Sequence, residues 1–204
     1  MFITLEGPDG SGKTTIMAHL MEELSRRGVR TLATREPGGT AISDQVRQVL
    51  MSMENRSMYP RTEILLFCAA RAQLVEEVIR PALADGMVVI SDRYTDSTLA
   101  YQGYGHGVDI SFLRELLNFA TGGLWPDRTF LFDVDSETGL MRRRKGGVDW
   151  NRMDDYELAY HRRVRSGYLE LAAAEPGRWQ VIDAGRSQDE VYNELLASVL
   201  QLIS

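Results

Sequence analysis

Phe2-Ile3-Thr4-Leu5-Glu6-Gly7-Pro8-Asp9-Gly10-Ser11-Gly12-Lys13-Thr14-Thr15 is the stretch on which the fold turns. It opens as a short β-rich run, residues 7 to 14 satisfy G-x-x-x-x-G-K-[ST], and an apolar stripe at Ile16, Leu20 and Leu24 follows at helical spacing. Strand, glycine-rich loop and helix in that order build a cradle for phosphate. Glycine permits positive φ and close approach, so the loop from Gly7 through Pro8, Asp9, Gly10, Ser11 and Gly12 can wrap anionic oxygens with its N–H groups. Lys13 adds a point charge for the β- and γ-phosphates, and the helix starting there aims unsatisfied N–H groups and its positive dipole end at the same place. The Thr14 hydroxyl suits Mg2+, and Thr15 completes the candidate nucleotide-binding set. The pattern predicts ATP with magnesium.

Outward from this stretch, compact β-rich runs alternate with helical patterns. Arg30 to Thr34, Met87 to Ser91, Thr129 to Val134 and Trp179 to Ile182 read as further buried strands. Ile64 to Ile79 reads as a long helix ended by Pro81; Tyr160, Val164, Tyr168, Leu171 and Ala172 share one helix face, and Val191, Leu195, Val199 and Leu202 another. These stripes are core. The expected fold is α/β, a doubly wound five-stranded parallel sheet flanked by helices, in a single domain 1–204 with ligands at the C-terminal ends of the strands.

The 204 residues carry a formal net charge of -6, which predicts no affinity for nucleic acid or anionic membranes as a whole. Any bound anion must be met locally. Two lysines, Lys13 and Lys145, stand against twenty-one arginines, and both lysines fall in segments expected to touch phosphate. The lone Cys68, in the apolar stretch from Ile64 to Ala72, reads as a small buried thiol. The apolar run from Met1 stops at Glu6, too short for a signal peptide or a membrane span, so a cytoplasmic location is expected.

A phosphate loop alone leaves motors, GTPases, transporter ATPases and small-molecule kinases open. The chain contains neither an Asn-Lys-x-Asp guanine-reading motif nor a Leu-Ser-Gly-Gly-Gln signature, which favours kinases of nucleotides. Asp92 ends a strand and Arg93 follows it, so a carboxylate able to serve magnesium and a guanidinium able to fork onto phosphate emerge together at the catalytic edge. Ser97 and Tyr101 lie one turn apart on the helix expected next.

Glu6-Gly7-Pro8-Asp9-Gly10, Arg35-Glu36-Pro37-Gly38-Gly39-Thr40, Phe67-Cys68-Ala69-Ala70-Arg71, and Asp92-Arg93-Tyr94 through Ala100-Tyr101-Gln102-Gly103 together resemble bacterial-type thymidylate kinases, from the N-terminus to about Tyr168. The resemblance implies a P-loop kinase fold and phosphoryl transfer from ATP to dTMP in a homodimer whose partners are small molecules. Phe67 and Arg71, four apart on a helix, would stack on a pyrimidine and donate to a base oxygen. By the same likeness Arg35 and Arg93 hold the monophosphate, Asp9 accepts from the deoxyribose 3'-hydroxyl, Tyr101 packs where a ribose 2'-hydroxyl would go, and Ser97, Thr98 and Gln102 line the base.

Arg142-Arg143-Arg144-Lys145, before Gly146-Gly147, forms a basic block on this acidic chain, at the start of a mobile lid expected at about residues 141–152. In the resembling family, enzymes with glycine after the loop carboxylate, as Gly10 follows Asp9, bring an arginine to the phosphates from this lid; Arg144 is the candidate, beside Lys13, Asp92 and Arg93, for the catalytic set. Two departures stand out. The family's Asp-Arg-x-Glu reads Asn151-Arg152-Met153-Asp154, which puts lid anchoring in question, and its Ala-Asp-Arg reads Ala69-Ala70-Arg71, which removes a charge beside Arg71. Another pyrimidine nucleotide kinase and an ATP-dependent switch protein are the alternatives.

Overall fold

The computed structural model describes residues 1–146 and 150–203. Its frame is one five-stranded parallel sheet in the order β2-β3-β1-β4-β5, with β1 at Phe2–Glu6, β2 at Thr31–Arg35, β3 at Val88–Asp92, β4 at Arg128–Asp133 and β5 at Trp179–Asp183. Every neighbouring pair is parallel. The strands occur where the β-rich runs predicted them. Arg35 and Asp92 are the last residues of their strands, Asp92 as expected and Arg35 one beyond the expected end, and stand in register with each other. Leu5 lies opposite Asp92, so Glu6 and the phosphate loop leave the sheet beside the same carboxylate.

Helices cover both faces: α1 (Lys13–Arg26), α2 (Ala41–Met51), α3 (Pro60–Leu74), α4 (Arg80–Ala84), α5 (Thr95–Thr98), α6 (Ile110–Thr121), α7 (Ser136–Lys145), α8 (Leu158–Ala174) and α9 (Gln188–Ile203). The period of two along β1 divides the core. Ile3 and Leu5 pack with Phe130, Phe132 and the stripes Ile16, Leu20, Leu24 of α1 and Val191, Leu195, Val199 of α9. On the other face Leu131 joins Tyr160, Val164, Tyr168 and Leu171 of α8 and Leu113 and Leu117 of α6. Glu6 belongs to this second face, which buries its carboxylate completely.

Pro81 does not end the helix expected to stop there. A π-helical stretch, Val75–Ile79, follows α3 and leads straight into α4, where Pro81 occupies the first turn. In a regular helix a proline ring clashes with the carbonyl four residues back, and at the first turn of a new segment its missing N–H costs nothing. The wider turn is thus where the chain accommodates Pro81. A second π-helical stretch, Leu99–Gly105, continues α5 and carries Tyr101 and Gln102. Of the segment expected as a lid, residues 147–149, Gly147 among them, lie outside the described residues.

Candidate functional site

The phosphate loop follows β1 at the C-terminal edge of the sheet. Gly12 caps α1 with φ 89° and no side-chain hydrogen bond, and the first turn of α1 holds no acidic residue, so its N–H groups remain available to an anion. Lys13 Nζ donates to the carbonyls of Gly7 and Pro8 at 2.9 and 3.0 Å and to Ser11 Oγ at 3.1 Å. Burial, reinforced by the charge of Arg93, pulls this ammonium down to about 8 against the opposing carboxylates of Asp92, Asp9 and Glu6. Thr14 Oγ1 donates to Asp92 Oδ2 at 2.7 Å, which joins the two predicted magnesium residues. Two hard oxygen donors fit an ion that takes the rest of its shell from phosphate and water, as Mg2+ does.

Gly10 has φ 75°, and a Cβ there would lie 2.0 Å from the Gly139 carbonyl oxygen. In the opposite direction, a Cβ on Gly139 would come within 2.6 Å of the Asp9 carbonyl. The loop and α7 therefore meet backbone to backbone, and the basic block is carried on a helix seated on the loop itself.

Arg93 stands opposite. It is the one described non-glycine residue with positive φ, at 72°, a conformation that turns its side chain back across the strand ends. Its Nη2 donates to Asp9 Oδ1 at 2.9 Å and to Tyr101 Oη at 3.1 Å; its Nη1 donates to Ser97 Oγ and Tyr168 Oη, each at 3.1 Å. Tyr101 in turn donates to Asp9 Oδ2 at 2.8 Å. Burial acts to raise the Asp9 carboxyl, yet Arg93 and Lys13 outweigh it and hold the group well below the usual range. Behind Arg93, Glu6 accepts from Tyr168 Oη at 2.8 Å, Ser97 Oγ at 2.6 Å and the Tyr94 N–H at 2.8 Å. Burial and the nearby Asp96 push the Glu6 carboxyl up to about 7.

One wall of the cleft comes from α3. Phe67 and Arg71 line the same cleft, one turn apart. Arg71 is 1% exposed and donates to Glu36 Oε2 from Nε at 2.7 Å, to Thr98 Oγ1 at 3.1 Å and to the Tyr94 carbonyl at 3.0 Å. The uncharged Ala70 thus leaves Arg71 fixed, because its ion-pair partner is Glu36. Arg35 and Arg47 converge on the Pro37 carbonyl at 3.3 and 2.9 Å. Arg47 was not legible: no motif marks it, and only the turn through Pro37-Gly38-Gly39 brings α2 back over the cleft.

The basic block divides. Arg142 and Arg143 line the cleft, whereas the Arg144 guanidinium lies 4.9 Å over the Trp150 ring, so the structure does not bring Arg144 to the site. Successive helical residues point about 100° apart, which prevents the three arginines from facing one ligand together. Arg142 donates to the Ala184 carbonyl at 2.8 Å. Arg143 Nε and Nη2 fork onto Asp154, at 3.1 and 3.0 Å for the nearest contacts, and Asp154 also accepts the Asn151 N–H at 3.0 Å. The shortened carboxylate therefore ties the segment after the basic block to α7, while the Asn151 side chain accepts the Met153 N–H within that segment.

The resulting cleft measures about 770 Å³ and is lined by Asp9 through Thr15, Arg35, Phe67, Arg71, Asp92, Arg93, Ser97, Thr98, Tyr101 and Gln102. Gly7 and Pro8 contribute the carbonyls that hold Lys13. A smaller hollow of about 280 Å³ adjoins the far side of the loop between Arg142 and Arg186.

A parallel sheet in this order, with a glycine loop on α1 facing a wall of guanidinium groups, defines a P-loop phosphotransferase acting on small phosphorylated molecules. The family model described as thymidylate kinase matches residues 5–195. Among curated relatives, the thymidylate kinase of Herpetosiphon aurantiacus is 49% identical over 98% of this chain and 94% of its own length. That of Thermomicrobium roseum is 50% identical over 99% and 95%. The crystal structure of thymidylate kinase from Ehrlichia chaffeensis is 36% identical, covers 98% of both chains and superposes with a TM-score of 0.79. The chain belongs to the thymidylate kinase family.

Proposed function

We infer that this chain transfers the γ-phosphoryl group of ATP to the 5'-phosphate of dTMP, giving ADP and dTDP on the way to dTTP. The observation that carries the assignment is a single cleft in which a phosphate cradle with Lys13 faces Arg93 and Asp9, with Phe67 and Arg71 beyond them. An acceptor oxygen bonds to the γ-phosphorus as the bond to the β-phosphate oxygen breaks, and the enzyme forms no covalent intermediate.

Catalysis then consists of positioning and charge. Lys13 and the loop from Gly7 to Thr15 hold the donor, whose nucleoside end the hollow beside Arg186 suits. Arg93 and Arg35, joined by Arg47, hold the acceptor phosphate. Asp9 retains lone pairs for the 3'-hydroxyl, and Tyr101 fills the space a 2'-hydroxyl would need. Phe67 stacks on the base for roughly 1–3 kcal/mol, while Arg71, Ser97, Thr98 and Gln102 edge it. Thr14 and Asp92 would hold Mg2+, which supplies neutralisation of phosphate charge. Residues 141–152 act as a lid that excludes water. Arg142 and Arg143 deliver its charge in the arrangement described above, and Arg144 reaches the phosphates only if the segment rotates.

A homodimer forms part of the same proposal. Phe112 and Phe119 on α6, Leu65 on α3, and Ile42 and Val49 on α2 are exposed large apolar side chains on neighbouring helices, and a second copy would cover them. Light scattering at two concentrations tests it. No helix among the described residues is long and apolar enough to cross a membrane; we place the activity in the cytoplasm, where ATP and deoxynucleotides are at hand. For the reaction itself, purified protein is supplied with ATP and each nucleoside monophosphate in turn. We expect dTMP to be the best acceptor, and equal or better turnover of UMP, CMP or AMP overturns the assignment.

A further inference from the structure

Glu63 lies one turn before Phe67 and two before Arg71 on α3, hence on the same face, yet its carboxylate is fully buried and reaches no part of the cleft itself. Its Oε1 accepts from Gln102 Nε2 at 2.6 Å and stands 3.4 Å from His106 Nε2. Its Oε2 takes Arg152 Nη2 at 2.6 Å and the Tyr156 hydroxyl at 3.2 Å. Burial alone would raise this carboxyl, but His106, Arg152 and Gln102 together bring it below its ordinary value, so it is ionised at neutral pH. Arg152 also donates to the Leu50 carbonyl at 2.9 Å, which pins the group between α2, α3 and the segment after the basic block.

An ionised carboxylate only accepts hydrogen bonds. The Gln102 amide must therefore turn its NH2 toward Glu63, and because the amide is planar its oxygen points the other way. Gln102 lines the cleft, and among the described residues nothing donates to its Oε1. Arg71 provides the complementary group. Its Nε and Nη2 hydrogens are taken by Glu36 and the Tyr94 carbonyl and one Nη1 hydrogen by Thr98, which leaves one Nη1 hydrogen for a ligand. Thr98 and Gln102 are themselves four residues apart, so a donor and an acceptor sit side by side at the base edge.

We propose that Glu63 is the positioning residue for base selection: by fixing the Gln102 amide it presents a carbonyl oxygen beside the Arg71 donor, a pair that accepts a 4-keto, 3-NH pyrimidine and rejects a 4-amino one. Thymine and uracil offer an O4 acceptor to Arg71 and an N3–H donor to Gln102. Cytosine offers the opposite group at both positions, and a site whose buried polar groups are left unpaired rejects a ligand more strongly than a site lacking one methyl contact. This inference rests on the dTMP reading above.

The test compares kcat/KM for dTMP, dUMP and dCMP in the wild-type protein and in Glu63→Gln. A glutamine at 63 both donates and accepts, so Gln102 is free to turn over. The dTMP-to-dCMP ratio is expected to fall about tenfold or more while the dTMP-to-dUMP ratio, set by a methyl contact, holds within about threefold. An equal loss for dTMP and dCMP in Glu63→Gln overturns the role of Glu63 and leaves the function intact. A wild-type protein that uses dCMP as well as dTMP overturns the function as well. Should Glu63→Gln not fold, the wild type answers by NMR of its glutamine side-chain amides. The Gln102 NH2 protons are expected to be protected from exchange already without nucleotide and to remain so with dTMP, and protection appearing only with dTMP overturns the proposal.

Discussion

Glu36→Gln removes one charge from a pair sealed in the protein: the Glu36 and Arg71 side chains are 3% and 1% exposed, and Glu36 Oε2 is 2.7 and 2.6 Å from Arg71 Nε and Nη2. What the substitution leaves behind decides the cost. The Arg71 guanidinium stays buried without a countercharge, and breaking such a pair costs about 3–5 kcal/mol. A glutamine oxygen in the place of Oε2 still accepts both bonds, which argues for the lower end, but its NH2 then falls where Glu36 Oε1 has no hydrogen-bond partner among the described residues. We expect a loss of about 3 kcal/mol, which for a chain of this size lowers Tm by roughly 6–12 °C. Urea unfolding followed by circular dichroism measures it. The Arg30–Asp85 pair, with side chains 62% and 64% exposed, is the internal control, and Asp85→Asn should change stability by no more than about 0.5 kcal/mol. Similar losses for the two variants would refute the reasoning that burial makes the first pair matter. The KM for dTMP should rise in Glu36→Gln with that for ATP little changed, because the proposed function puts Arg71 against the acceptor.

Lys13 carries a pH prediction. Its ammonium is charged below about 8, and bound phosphates restore the charge above it, so ATP affinity should fall as pH rises past about 8, with proton uptake visible as a buffer-dependent heat of binding. The sign for stability is opposite: between about 8 and the ordinary lysine value the unfolded chain binds more protons, and the free protein should gain stability with pH over that window. Gly10→Ala forces a Cβ to within 2.0 Å of the Gly139 carbonyl, so α7 must shift; we expect about 1–3 kcal/mol of destabilisation on thermal unfolding and a larger proportional loss in kcat than in ATP binding. Tyr168→Phe deletes the hydroxyl shared by Glu6, Ser97 and Arg93, which should cost about 1–3 kcal/mol and raise KM for dTMP more than for ATP.

What could be read from the residues alone was local or periodic. The phosphate loop works through its own backbone, and the stripes Tyr160, Val164, Tyr168 and Val191, Leu195, Val199 report which faces are buried, so loop, strands and most helices were legible. Residues that act through distant neighbours were not. Tyr168 read as core, and it is fully buried, yet its hydroxyl reaches Glu6 across 162 residues of sequence. Glu6 itself looked like the end of a strand and became a buried acceptor only because β1 turns it toward α8. The pairing of Arg143 with Asp154 depends on how the chain returns after α7, which no spacing encodes. Pro81 misled for a related reason, since proline marks a boundary in a regular helix and the π-helical stretch before it changes the rule.

The seat of α7 on Gly10 also constrains how such a chain can evolve. A side chain at position 10, a guanidinium included, would occupy the space that the Gly139 backbone now fills. Charge delivered from the loop and charge delivered from α7 in its present place are therefore mutually exclusive. A lineage moving from one to the other has to relocate the helix and replace the glycine together, and an intermediate that has done only one of these is left with a crowded loop or a donor phosphate facing too little positive charge.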